Sequence, residues 1–226
     1  MSLRQTIYLG ITALLIMISI RIFIIEIFVV PTDSMSPTIQ QGEKVIVNKM
    51  GFFIGIPARI PFIGRIISPF RFSIFAPQKK DIVVFFRNSQ NNDVLYVKRM
   101  YATPHDTLQF NDSLLWIQSS RDSISYTKTQ HFWMSQLQSS LIIPAKGDTL
   151  RINSSTIELY KYAIEQEGTK ITILNNIVYF NGKPQNYYIV RNNYYFLIGD
   201  NAAHSYDSRS YGLIPENTIY GKPLFY

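Results

Sequence analysis

The chain has 226 residues, a formal net charge of +7, 15 Tyr, 15 Phe and no Cys. Its length suits one domain or two small ones, its 46% apolar content excludes a disordered chain, and the lack of cysteine excludes disulfides, thiol nucleophiles and Cys-ligated metals. The basic residues are scattered and no nucleic-acid motif accompanies them, so anionic lipid rather than nucleic acid is the expected partner for the charge.

Ile7 to Ile20 is an uncharged apolar run between Arg4 and Arg21. Counting on to Phe23 gives a helix just long enough to cross a bilayer, for which about 20 residues are needed. Arg21 can snorkel to the interface, and Glu26 is too costly for hydrocarbon. The crossing is therefore expected to end near Arg21, with Ile24 to Val30 leaving it as extended chain. A cleaved secretory signal is the competing reading. The bulky residues from Ile22 to Val30 offer no small-X-small cleavage site, which favours an uncleaved, single-pass anchor. Arg4 and Arg21 pull the orientation in opposite directions.

Gly51 to Pro77 is strongly apolar, yet it contains Pro57, Pro61, Pro69 and Pro77 together with Arg59, Arg65 and Arg71. The prolines argue against a continuous membrane helix or a central strand. Two readings stay open: a loop on the membrane surface, or a core-packed loop with its arginines in water.

After the anchor the chain reads mainly as strands. Val45–Val47, Ile82–Phe86, Val94–Lys98, Leu150–Ile152, Lys170–Leu174, Ile177–Phe180 and Tyr194–Ile198 are short runs rich in β-branched and aromatic residues. Asn175-Asn176 and Asn181-Gly182 read as turns. A helix is expected from about Thr156 to Glu165, with Ser155 as its cap and Glu158 completing a capping box. A second candidate helix spans Thr129 to Leu137.

Three clusters carry the chemistry: Pro31-Thr-Asp-Ser-Met-Ser-Pro-Thr38, Tyr96-Val-Lys-Arg99 and Gly199-Asp-Asn-Ala-Ala-His-Ser-Tyr-Asp-Ser-Arg-Ser-Tyr-Gly212. Ser34 lies in a proline-bounded turn that can hold its hydroxyl rigidly. A hydroxyl needs a base to become a nucleophile, and none of His105, His131 and His204 shows a pairing signature. A neutral Lys can serve if burial lowers its pKa by roughly 2 to 4 units. Lys98 ends the packed run Val94-Leu-Tyr-Val97. Taken alone, the pairing is weak: Ser34 reads by default as an ordinary turn serine and Lys98 as a solvated strand-end lysine.

In order along the chain, these clusters resemble the bacterial type I signal peptidase (leader peptidase) family, which works by a serine–lysine dyad. The likeness includes Glu26-Ile-Phe-Val-Val-Pro-Thr32, Ser34-Met-Ser-Pro-Thr38, Gly42-Glu-Lys-Val-Ile-Val-Asn-Lys49, Asp81-Ile-Val-Val-Phe85, Tyr96-Val-Lys-Arg99, the C-terminal cluster and Gly221-Lys222. The stretch from about Thr107 to Tyr188 is unspecific. The resemblance implies Ser34 as nucleophile, Lys98 as general base, Thr32 as an oxyanion-hole hydroxyl beside the Ser34 amide, and Ser205 as the group orienting the lysine. It implies Asp207 and Arg209 as a supporting buried ion pair, and Met35 as a residue beside the substrate groove. The sequence departs from the family pattern at Lys80, Ala102 and His105, where Gly is usual, and at Ala202, Ala203 and His204. His204 adjoins Ser205, but adjacency on an extended chain does not bring two side chains together.

The expected fold class is mainly β: an antiparallel β catalytic core with an inserted β-rich subdomain and an N-terminal transmembrane helix. The expected boundaries are 1–25 for the anchor, 26–106 with 189–226 for the core, and 107–188 for an insertion carrying one helix. The resemblance implies a membrane-bound serine endopeptidase of the inner membrane, with its catalytic domain on the outer, periplasmic side. It would remove signal peptides from exported preproteins that carry small residues before the cleavage site. No cofactor, metal or nucleic acid is implied, the lipid bilayer is a partner, and no obligate protein partner is required. The alternatives are a specialised processing peptidase with few substrates, and a catalytically silent membrane-anchored binding or assembly protein.

Overall fold

A computed structural model describes residues 2–56, 59–60, 64–65, 70–89, 92–111, 114–118, 123–125 and 140–225. Helix α1 spans Leu3–Phe23 and opens with a capping box in which Ser2 and Gln5 exchange side-chain and backbone hydrogen bonds. It is apolar on every face, and none of its residues is buried against the rest of the protein. Its mid-helix hydroxyls are satisfied within the helix, Thr12 donating to the Tyr8 carbonyl at 2.9 Å and Ser19 to the Leu15 carbonyl at 2.8 Å. The helix is long and apolar enough to cross a membrane. Strand β1 (Ile25–Val29) begins one residue after the helix cap at Ile24.

Six further strands complete the main sheet: β2 (Lys44–Asn48), β3 (Ile82–Ser89), β4 (Asn92–Ala102), β5 (Tyr194–Ile198), β6 (Ile214–Pro215) and β7 (Ile219–Phe225). Their order is β1-β2-β7-β3-β4-β5-β6, and each pairing is antiparallel. The run Ile82-Val-Val-Phe-Phe86 is continuous rather than alternating because β3 is covered on both faces. Ile82, Val84 and Phe86 pack with Val30, Met35, Val45, Val47 and Tyr220. Val83 and Phe85 pack on the other side with Phe52, Met100, Tyr195 and Leu197. Burying each such side chain stabilises the fold by about 1.5–3 kcal/mol. β7 lies between β2 and β3 although it contains Pro223. It pairs with β3 only through Ile219 and Gly221, and its register against β2 slips at Leu224. A proline is tolerated at such an irregularity.

The chain between β4 and β5 forms smaller antiparallel sheets. One joins Thr107–Phe110, Leu114–Ile117, Ser123–Ser125 and Ser140–Ile142. Another joins Ile171–Leu174, Ile177–Phe180 and Lys183–Pro184, through turns in which Asn175, Asn176, Asn181 and Gly182 all take positive φ. Leu108, Leu115, Ile117 and Leu141 share one core with Phe196, Ile198 and Leu213, so the first of these sheets packs directly on β5. The mainly β, antiparallel class with one N-terminal apolar helix is what the sequence led us to expect.

One expectation is corrected. Helix α2 covers Ile157–Gln166, but no Ser155–Glu158 capping box forms. Asn153 takes that place: its Oδ1 accepts from the amides of Ser155 and Thr156 at 3.0 and 2.8 Å, and the Ser155 hydroxyl donates to the same oxygen. An Asx turn pre-empts the cap because the amide oxygen reaches two successive N–H groups at once. The segment 51–77 contributes short strands outside the main sheet, Phe53–Gly55 pairing with Arg71–Ser73. Phe52 and Phe53 are buried, whereas Ile54, Phe70, Phe72, Ile74 and Phe75 are exposed. Arg71 does not face water alone: it donates to the Ile219 and Glu216 carbonyls at 2.6 and 3.3 Å and lies over the Phe53 ring. The side chains of Arg59 and Arg65, and the candidate helix Thr129 to Leu137, lie outside the described residues.

Candidate active site

The Ser34 turn is built from its own backbone. The Ser36 amide donates to the Asp33 carbonyl at 2.9 Å and the Ile39 amide to the Met35 carbonyl at 3.0 Å. A second segment clamps it, the Asn201 amide donating to the Ser34 carbonyl at 3.1 Å. The Ser34 amide itself has no acceptor among the described residues. Ser34 is buried, with only 5% of its surface exposed.

Lys98 stands on β4 directly opposite Val83, in a part of the sheet closed on both faces, and is 2% exposed. Its Nζ lies 2.5 Å from Ser34 Oγ. Burial lowers the Lys98 pKa to about 8; the carboxylates of Asp207 and Asp200 act in the opposite direction, and the Arg209 guanidinium adds to the lowering. Thr32 Oγ1 approaches Ser34 Oγ from another side at 3.2 Å.

Asp207 and Arg209 form a two-pronged ion pair, Nε to Oδ1 at 2.9 Å and Nη2 to Oδ2 at 2.8 Å, and both residues are buried. The pair is tied into the fold on each side. Asp207 Oδ2 accepts from the Gly199 amide at 3.0 Å, and Arg209 Nη2 donates to the Ala202 carbonyl at 2.7 Å. The Ser208 hydroxyl accepts from the Leu197 amide, so the short helix Ser208–Tyr211 is fastened to β5 beside the site.

Two of the sequence-derived residues sit less simply. Ser205 Oγ is buried and makes no hydrogen bond among the described residues. It lies against Gly199, where any side chain would collide with it and with the Ser34 carbonyl. Met35 is wholly buried in the cluster with Val30, Ile39, Val45 and Tyr220, so its side chain underlies the turn and presents no surface.

Arg99, the neighbour of Lys98, points elsewhere, as strand alternation requires. It holds Asp200 through Nε to Oδ1 at 2.7 Å and Nη2 to Oδ2 at 2.5 Å, and Thr38 Oγ1 donates to the same Asp200 Oδ2. Burial tends to raise the Asp200 pKa, but these bonds outweigh it and hold the carboxyl below its usual range. Asp200 belongs to the Gly199–Gly212 cluster but has no role evident from sequence; its complement to Arg99 one strand away is the signal that marks it. His204 is exposed, its Nδ1 3.9 Å from Asp33. Among the described residues, no group of three or more His, Asp or Glu side chains is gathered as a metal site.

The architecture is that of a β protein with an N-terminal apolar helix long enough to cross a membrane, holding a serine hydroxyl against a buried amine. The family model described as signal peptidase, peptidase S26, matches residues 3–226. The chain therefore belongs to the signal peptidase S26 family. It is 29% identical to the signal peptidase I of Buchnera aphidicola subsp. Baizongia pistaciae, over 94% of this chain and 72% of that one. It is 26% identical to that of Pseudomonas aeruginosa, over 92% and 66%. It is 30% identical to that of Rickettsia akari, over 91% and 72%. The chain thus spans roughly two thirds to three quarters of the length of these relatives. Family membership and α1 together support a membrane serine protease role.

Proposed function

We propose that the chain is a signal-peptide-removing endopeptidase in which Lys98 acts as general base for Ser34. The single observation that carries the reading is the 2.5 Å approach of a buried, pKa-lowered amine to a buried serine hydroxyl. Neutral Lys98 accepts the Ser34 proton as the oxygen attacks the scissile carbonyl. The lysine then returns a proton to the departing amine and activates the water that hydrolyses the acyl-enzyme. The Ser34 amide, without an acceptor among the described residues, and the Thr32 hydroxyl are the donors for the developing oxyanion, each worth about 3–4 kcal/mol in the transition state. Asp207 and Arg209 hold the Gly199 to Gly212 segment in place, and Ser205 Oγ, which has no partner among the described residues, is available to the lysine amine.

The substrates are exported preproteins with small residues before the scissile bond, cut on the outer face of the inner membrane. Residues 107–188 act as a subdomain appended to the catalytic core. The exposed face formed by Ile54, Phe70, Phe72 and Phe75 rests on lipid, keeping the site beside membrane-tethered substrates.

The test is incubation of detergent-solubilised full-length protein with a panel of exported precursors, beside Ser34→Ala. Shortened products from the wild type alone are expected. Intact precursor throughout would favour a silent assembly protein, and cleavage of one or two precursors only would favour a specialist.

A further inference from the structure

Lys49 is the buried cation that the chemistry above does not use. Its side chain has no exposed surface although it follows directly on β2. The ammonium donates to the Arg21 and Ile22 carbonyls at 2.8 and 3.1 Å, and the Lys49 amide donates to the Ile24 carbonyl at 2.8 Å. One residue therefore satisfies three carbonyls at the C-terminal end of α1, where a helix leaves its acceptors unpaired and carries partial negative charge. The ammonium also pairs with Glu26 Oε2 at 3.0 Å, the same oxygen that accepts from the Tyr220 hydroxyl at 2.9 Å. Arg21 reaches the other Glu26 oxygen from the surface at 3.4 Å. Lys49 directly follows β2 and Tyr220 lies on β7, and these strands connect through β3 to the strand carrying Lys98. The end of the membrane helix is thus bonded to the sheet that holds the site, and the single residue between α1 and β1 is not a free hinge.

We propose that Lys49, with Glu26 and Tyr220, is a clasp that sets the position of Ser34 relative to the bilayer and so selects which peptide bond of a membrane-tethered substrate is cut. The proposal rests on the membrane protease reading. A substrate whose apolar segment lies in the same bilayer offers its bonds at graded distances from the lipid, about 3.3 Å per extended residue. An enzyme on a loose tether would sample many of these distances, whereas one clasped to its own helix samples few. Lys49 is a positioning residue, acting through α1 and touching no reacting atom.

The test uses full-length protein in phosphatidylethanolamine and phosphatidylglycerol vesicles. The variants are Lys49→Met and the double variant Lys49→Met with Glu26→Leu. The double variant leaves no lone buried charge, and replacing a whole buried pair by apolar groups is commonly tolerated. Because the chain has no cysteine, spin labels at Ile16→Cys and Gln118→Cys report the distance between helix and body without background. Activity is read on a set of tethered precursors whose scissile bond is displaced stepwise from the apolar segment, and on a short soluble peptide.

The wild type should give a narrow distance distribution. Its cleavage should peak at one spacing and fall about tenfold over three residues, or about 10 Å of extended chain. The double variant should broaden the distribution at least twofold and flatten the spacing profile, with kcat/KM on the soluble peptide within twofold of wild type. A distribution as narrow as wild type in both variants overturns the clasp. A broadened distribution with an unchanged spacing profile overturns its role in site selection. If the wild type cuts no precursor, it is the protease reading that has failed, and the distance distributions still decide whether Lys49 clasps the helix.

Discussion

Asp207 accepts a hydrogen bond from the Gly199 amide at 3.0 Å, and that bond joins the buried ion pair to the strand end facing Ser34. Asp207→Asn removes a charge from a pair with 0% and 2% side-chain exposure, which should cost about 3–5 kcal/mol of stability. It should also move activity along the pH axis. Asp207 raises the Lys98 pKa and Arg209 lowers it, so without the carboxylate the midpoint of the pH–rate curve should fall below about 8. Denaturant unfolding and rate profiles on the same preparation check both effects.

Lys98 itself should be a burden on the fold at neutral pH. Its folded pKa of about 8 lies below the unfolded value of about 10.4, so between these values the unfolded chain binds more protons and stability rises with pH. Below about 8 the amine is charged in both states and the full penalty of burial remains. Replacing it with Met, of similar volume and no charge, should raise stability at pH 7 by about 1–3 kcal/mol, and the gain should shrink as the pH approaches 10. Urea midpoints for Lys98→Met and wild type at both pH values provide the measurement.

The Ser205 hydroxyl separates packing from orientation. It is buried without a partner among the described residues, so Ser205→Ala loses no hydrogen bond to them and should leave stability within about 1 kcal/mol of wild type. Its kcat should nevertheless fall at least about tenfold, equivalent to about 1.4 kcal/mol, with KM little changed. An unaltered kcat would remove Ser205 from the mechanism.

Much of this fold was legible because period and composition report burial directly. Ile82 to Phe86 reads as a strand, and its lack of alternation is explained by a sheet covered on both faces. The apolar run from Ile7 marks the helix and Glu26 marks its end. Ser34 and Lys98 were nameable only through their order among the other motifs, because 64 residues of sequence separate two side chains that meet at 2.5 Å. What sequence hid were long-range polar partners. Lys49 ends an alternating strand and reads as a solvated cation; its acceptors are carbonyls more than 20 residues earlier, and carbonyls leave no trace in residue type. The Asn153 turn is hidden in sequence for a different reason: Ser155 fits the usual capping pattern, and the competition between two local acceptors is decided by geometry.

Two departures from the family pattern now have a physical meaning. Lys80 and His105, which the sequence likeness sets against Gly, both adopt positive φ, at 73° and 68°. A residue with a Cβ is strained there and glycine is not. Lys80→Gly and His105→Gly should each raise stability by about 0.5–1 kcal/mol, measurable as higher urea midpoints with unchanged slope.

The Ser34–Lys98 dyad is tested most directly by the rate of precursor cleavage against pH, wild type beside Lys98→Met, with Ser34→Ala as the blank. The wild-type rate should climb about tenfold per pH unit and level off above about 8, and Lys98→Met should cleave nothing at any pH. Cleavage surviving in Lys98→Met, or a wild-type rate flat from pH 6 to 9, would contradict it.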